Sequence, residues 1–177
     1  MRGYYNKPEA TEAAFTADGW FRTGDAGYID DHGSLFLTDR LKDLLKTSNG
    51  KYIAPQAIET LMGDDKYIDQ IAVIGDRRKF VSALIVPDYT ALKDFATRER
   101  ISYHSMDELV RHSRIRELLT KHIEEAQKGL ASYEKIKRFT ILPQPFSMEK
   151  GELTNTLKVK RHAINRIYAK EIDAMYE

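Results

Sequence analysis

The chain has 177 residues, with 28 Lys and Arg against 27 Asp and Glu, a formal net charge of +1 and no cysteine. This balance supplies no large positive field, which argues against nucleic acid as a main partner, and the lack of cysteine excludes disulfides and thiolate metal sites. No apolar run approaches the ~20 residues that cross a bilayer, and the opening MRGYYNKPEATEAAF lacks the apolar centre of a signal peptide; the default expectation is a cytoplasmic chain of one domain, or one domain plus a piece of another, long enough to bury a core.

Residues 1–38 read as the edge of a larger fold. Pro8 to Phe15 suits a short helix. Ala26–Ile29 and Ser34–Thr38 suit two strands joined by a turn at Asp31, His32 and Gly33. Two strands alone are marginal in water, and no further strand pattern in the first forty residues offers them a sheet. Tyr28, Ile29, Leu35 and Phe36 are then left uncovered, and unpaired edges invite self-association through residues 1–38. The pattern changes at about residue 38 or 39, where the join is tight and charged, in the manner of a hinge rather than a tether.

Beyond that point DLLKTSNGKYIA reads as a second hairpin, with Ser48, Asn49 and Gly50 at its tip. Pro55 opens a short helix and Gly63 closes it. QIAVIGD and FVSALIVP are β-branched apolar runs that form a core hairpin across Arg77, Arg78 and Lys79. Asp88 is placed to cap a helix carrying Leu92, Phe95 and Ala96. Ser105 with Glu108 makes a capping-box pattern, and the amphipathic stretch from Leu109 to Ala126 breaks near Ser113. Arg138–Leu142 is a strand stopped by Pro143. A last helix carries Ala163, Ile164, Ile167, Tyr168, Ile172 and Met175 on one face. Strands and helices mix without a βαβ rhythm, so the predicted class is α+β: a small domain of mixed sheet with flanking helices, preceded by a hairpin. The predicted core comprises Ile58, Leu61, Ile71, Val73, Leu84, Val86, Phe95, Leu118, Ile123, Phe139, Ile141 and Ile164.

Four stretches follow one another along the chain: GYYNKPEAT with DGW, FRTGDAGYID, TDRLKDLLKTSNGKYIAPQAIE and KGELTNTLKVKR. A lone TGD is an ordinary turn, but this ordered set resembles the C-terminal portion of an adenylate-forming enzyme, the superfamily of acyl-CoA synthetases, peptide-synthetase adenylation domains and firefly luciferase. LKTSNGKYIAPQAIE, LASYEKIKRF and GELTNTLKVKR are most similar to the long-chain fatty acyl-CoA synthetases. The resemblance implies that residues 1–38 end an N-terminal AMP-binding domain and that residues 39–177 form its mobile C-terminal partner. It implies ATP, CoA and a fatty acid as substrates and Mg²⁺ bound by a glutamate upstream of this chain. A peripheral association with membrane is compatible with such substrates.

Residue by residue, the resemblance implies that Asp25 accepts the ribose hydroxyls of ATP, a role that suits a carboxylate's two oxygens. Gly24 beside it lets backbone approach the nucleotide. Arg40 reaches the ribose and phosphates as a forked cation. Lys42 sits at the hinge, where many family members carry Asp. Ser48, Asn49 and Gly50 line the pantetheine tunnel once CoA arrives, and Lys46 approaches the active site with them for thioester formation. Glu59 ends the motif as structural support. The terminal motif departs from the common Thr-Gly-Lys: after Thr154 and Asn155 comes Thr156, so Lys158 is the adenylation lysine by position, with Lys150 and Lys160 as rivals. On their own terms these residues also suit an Asp turn, a solvated charge run and a plain hairpin. His32, His104, His112, His122 and His162 show no ligand spacing, so no metal site is expected. No Gly-rich phosphate loop ending in Lys is present, and the chain alone is expected to be inactive. Two other readings remain: a noncatalytic interaction module of the same fold, or an aryl- or medium-chain acyl-CoA ligase.

Overall fold

In the computed structural model, which describes residues 1–177, the chain separates into two units, Met1–Asp43 and Leu44–Glu177. The change of pattern at 38 or 39 does not coincide with this division. Strand β2 (Leu35–Arg40) runs through Asp39 and Arg40, and Leu41–Asp43 adds a single 3-10 turn before the first unit ends.

In the first unit, Pro8–Ala13 forms helix α1 with proline in its first turn. Phe15 and Phe21 bridge behind it, with ring centroids 5.5 Å apart. Strand β1 (Asp25–Ile29) pairs antiparallel with β2 as a sheet of two strands. The turn between them is set by Asp30, whose carboxylate accepts the backbone N–H groups of His32 and Ser34 at 2.9 and 2.8 Å. Tyr28 stacks on Phe36 across the pair at 5.2 Å. Tyr28, Ile29, Leu35, Phe36 and Leu37 all remain exposed.

The second unit begins with a hairpin of β3 (Leu45–Lys46) and β4 (Tyr52–Ile53), followed by α2 (Pro55–Gly63). Gly63 lies within this helix rather than past its end; Asp64, at φ −77°, is the cap. The main sheet has the order β5-β6-β7, from Ile68–Ile74, Val81–Pro87 and Ile136–Ile141. β5 and β6 form the expected antiparallel hairpin, but β6 and β7 are parallel. A parallel pair needs a long crossover, here residues 88–135, which hold α3 (Tyr89–Arg98), α4 (Met106–Arg111) and α5 (Ser113–Ala126). The sequence shows no βαβ rhythm because three helices separate the two strands.

Every residue of β6 is buried. Its side chains alternate between faces: Val81, Ala83 and Ile85 meet residues of α2 to α5, while Leu84 and Val86 meet Phe146, Ile164, Ile172 and Met175. Both faces of the sheet are therefore covered, and each fully buried Val, Leu or Ile contributes about 1.5–3 kcal/mol. Of the predicted core, Leu61, Phe95, Leu118 and Ile141 are only partly buried at its margin. The last helix is in fact two, α6 (Arg161–Ile167) and α7 (Ala169–Ala174), broken at Tyr168 with φ −103° and ψ 28°. The break changes the helical phase, so Ile164, Ile172 and Met175 are buried while Ile167 is 41% exposed.

Candidate functional site

Asp25 and Arg40 face each other as register partners at the open end of β1 and β2. The guanidinium Nε of Arg40 lies 2.8 Å from Asp25 Oδ1. Asp25 is also held by its backbone N–H, which donates to Thr23 Oγ1 at 3.1 Å. Gly24 has φ +75°, and a Cβ there would meet nothing within 4 Å. Glycine is needed at this position for the left-handed turn into β1, not to relieve crowding. The turn is closed when Leu41 N–H donates to Gly24 O at 2.8 Å. The two predicted nucleotide residues thus form one carboxylate–guanidinium pair at an exposed strand end. Lys42 is the exposed middle residue of the 3-10 turn Leu41–Asp43.

The hairpin from Lys46 to Lys51 is braced from two sides. Internally, Thr47 is buried, and its N–H and hydroxyl both bond the main chain of Lys51. Gly50, at φ +77°, supplies the turn that other residues adopt poorly. Externally, the β5–β6 turn holds the hairpin: Arg77 N–H donates to Lys46 O at 2.7 Å, Ser48 N–H to Arg78 O at 2.9 Å, and Asn49 Nδ2 to Lys79 O at 3.4 Å. The side chains of Ser48 and Asn49 and the Gly50 backbone are left at an exposed tip. Lys46 Nζ stands 5.5 Å above the Tyr52 ring, a weak cation–π contact that keeps the ammonium on this face.

Lys158 projects from a second tip. Leu153 and Val159 bridge, Thr154 N–H donates to Lys158 O at 2.8 Å, and Lys158 N–H donates to Thr154 Oγ1 at 3.0 Å. Leu157, just before it, has φ +60°. A left-handed leucine is disfavoured by roughly 1–2 kcal/mol, so the surrounding bonds hold the loop against its local preference. Lys150 and Lys160 are exposed as well. Lys150 N–H bonds Ser147 Oγ at 3.2 Å, and Lys160 N–H bonds Glu152 O at 2.8 Å. Lys46 and Lys158 stand on separate tips of the same unit.

Two groups in this unit have partners that the sequence does not reveal. Glu59 forms a two-pronged ion pair with Arg161, at 2.8 and 2.7 Å, and accepts Val73 N–H at 2.8 Å. Arg161 also donates to Val73 O at 2.9 Å. Both polar groups of Val73, on the free edge of β5, are thereby satisfied by side chains. The supporting role of Glu59 is visible, but its partner lies 102 residues away in sequence. Glu152, inside GELT, has no exposed surface. Its carboxylate accepts Ser147 N–H and the Tyr168 hydroxyl, both at 2.7 Å. A charged residue in an alternating loop gives no sequence sign of such burial.

Three tyrosines are raised above the usual phenol range. Burial, then the carboxylates of Asp69 and Asp107, push Tyr89 up to about 12. Burial and the hydrogen bond to Glu152 push Tyr168 further up. Burial outweighs the opposing effects of Ser82 and Arg78 at Tyr176. His122 Nδ1 lies 2.6 Å from Asp65 Oδ2. No group of three or more His, Asp or Glu side chains is placed to hold a metal ion. No helix is long and apolar enough to cross a membrane.

A family model described as AMP-binding enzyme C-terminal domain matches residues 42–177. Long-chain-fatty-acid–CoA ligase 5 of Mus musculus is 34% identical over 180 residues, covering 100% of this chain and 26% of that protein. The long-chain-fatty-acid–CoA ligase FadD15 of Mycobacterium tuberculosis is 35% identical over 98% of this chain and 29% of its own length. The chain thus spans less than a third of either relative. Among solved structures, the adenylation domain of a carboxylate reductase from Mycobacterium chelonae superposes with a TM-score of 0.74 at 30% identity, over 98% of this chain and 26% of that one. An o-succinylbenzoate coenzyme A synthetase from Bacillus subtilis, solved with AMP, gives 0.56 at 26% identity, over 92% and 27%.

Proposed function

The chain belongs to the family of AMP-binding enzyme C-terminal domains, and from that membership we propose that it is the C-terminal part of a long-chain-fatty-acid–CoA ligase. In the proposed reaction the fatty carboxylate attacks the α-phosphate of ATP, forming acyl-AMP and releasing pyrophosphate. The CoA thiol, losing its proton, then attacks the acyl carbon and expels AMP. No nucleophile from this chain is required. Its task is to place groups and to offset charge on phosphate.

In this reading Asp25 takes the ribose hydroxyls and Arg40 the ribose and phosphates. Lys158 offsets charge at the α-phosphate in the first step. Rotation about Lys42 then brings Lys46 and the tip at Ser48, Asn49 and Gly50 in for the second step, a domain motion that gates the sequence of events. Mg²⁺ would be held by residues outside this chain. The observation that carries the reading is the pair of braced tips. Lys46 and Lys158 are each fixed by main-chain bonds to the same unit, so one rigid rotation can offer them in turn.

A second reading keeps adenylation but changes the acid to an aryl or medium-chain one. It is supported by the likeness to o-succinylbenzoate coenzyme A synthetase. The test is product analysis with the longer enzyme that carries this chain, given ATP, CoA and either palmitate, octanoate or benzoate. Palmitoyl-CoA with AMP and pyrophosphate is the expected result. Thioester from the short or aryl acids alone favours the second reading. No thioester from any acid leaves the noncatalytic module. The 177-residue chain alone, which carries no Gly-rich phosphate loop, is expected to form none.

A further inference from the structure

Glu152 lies two residues before Thr154, where the loop bearing Lys158 begins, and it has no exposed surface. A buried carboxylate without partners is strongly destabilising, and here each carboxylate oxygen has one. Oε2 accepts Ser147 N–H and Oε1 accepts the Tyr168 hydroxyl, both at 2.7 Å. Its main chain is engaged as well: Glu152 N–H donates to Ser147 O at 3.0 Å, and Lys160 N–H donates to Glu152 O at 2.8 Å. One residue therefore ties the segment entering the loop, the residue leaving it and the break between α6 and α7. The Tyr168 ring in turn packs edge-on against Phe146 at 5.9 Å. Apolar packing alone could fill this space, but it could not hold both the Ser147 N–H and the Tyr168 hydroxyl, as the carboxylate does. Nothing in the roles assigned above uses this carboxylate.

We propose that Glu152 is a positioning residue for Lys158, holding the root of the Thr154–Lys158 loop so that the ammonium is presented in one pose during adenylation. The proposal rests on the reading of Lys158 given above, and its test separates the two. The first arm is amide hydrogen exchange on this chain. Glu152→Ala should speed exchange at Thr154, Lys158 and Lys160 while leaving β5 and β6 unchanged. Unchanged exchange at those three amides overturns the proposal.

The second arm measures both half-reactions in the longer enzyme. Misplacing a reacting group by about 1 Å can slow a step on the order of a hundredfold. Glu152→Ala should slow pyrophosphate formation by about that factor and leave transfer from supplied acyl-AMP to CoA within twofold. Glu152→Gln, whose oxygen can accept Ser147 N–H while its amide donates to the Tyr168 oxygen, should recover adenylation to within about tenfold of the unsubstituted rate. If Glu152→Ala fails to fold, Glu152→Gln and Tyr168→Phe carry the same comparison with smaller losses. An equal fall in both half-reactions marks Glu152 as merely structural and overturns the proposal. If Lys158→Ala spares adenylation while Glu152→Ala still loosens the three amides, the reading of Lys158 fails and the positioning of the loop stands.

Discussion

The pair of Glu59 and Arg161 shows how much a single residue can hold. Its side chains are 16% and 23% exposed, and it engages both polar groups of Val73. Removing Arg161 leaves a largely buried carboxylate and an unbonded carbonyl. Arg161→Ala should therefore destabilise the second unit by about 2–3 kcal/mol, lowering Tm by roughly 4–12 °C. The pair Glu125 and Lys128 is about 70% exposed on both sides, and Lys128→Ala should leave Tm unchanged. Equal melting temperatures for the two variants would contradict this ranking. The tyrosines give a pH dependence of definite sign. Their folded values lie above the unfolded 10.0. As pH rises, the unfolded chain loses these protons first. The stability they contribute is complete below about pH 10 and is lost as pH climbs toward the value of about 12 at Tyr89 and beyond it at Tyr168. Thermal melts from pH 8 to pH 12 should show this fall. Tyr168→Phe should make it shallower, and an unchanged slope would exclude Tyr168 as a source.

At the scale of elements, local chemistry is what the sequence exposes. The cap at Asp88 is present, its carboxylate accepting Ala91 N–H at 2.8 Å. Asp88→Ala should cost about 1 kcal/mol, read as a lower Tm; no change would mean that tertiary packing alone sets the start of α3. The capping box is also present, with a shift: Glu108 reaches back to His104 N–H at 2.7 Å rather than to Ser105. The break predicted near Ser113 occurs at His112, whose own ring nitrogen caps α5 by accepting Arg114 N–H at 3.3 Å. The break at Tyr168 has no such local sign, neither glycine nor proline. At the break the Tyr168 hydroxyl bonds buried Glu152, a contact that periodicity cannot reveal. For the same reason Asp25 and Arg40 are legible as motif residues, whereas Glu152 is not. The parallel pairing of β6 with β7 is long-range and equally hidden.

At the scale of the whole molecule, the two units differ in what they bury. The first is a hairpin with exposed apolar faces and carries Asp25 and Arg40. The second covers its sheet on both faces and carries two lysine tips. In the proposed function these tips act in different half-reactions. Removing one oriented donor at such a site costs on the order of 3 kcal/mol, roughly a hundredfold in rate. The most direct measurement is of the two half-reactions in Lys158→Ala and Lys46→Ala variants of the longer enzyme. Lys158→Ala should slow pyrophosphate release about a hundredfold and spare conversion of supplied acyl-AMP to acyl-CoA; Lys46→Ala should do the reverse, more mildly. Loss of adenylation with Lys150→Ala or Lys160→Ala instead would move the role to a neighbouring lysine. Equal slowing of both half-reactions by each substitution would contradict the division itself.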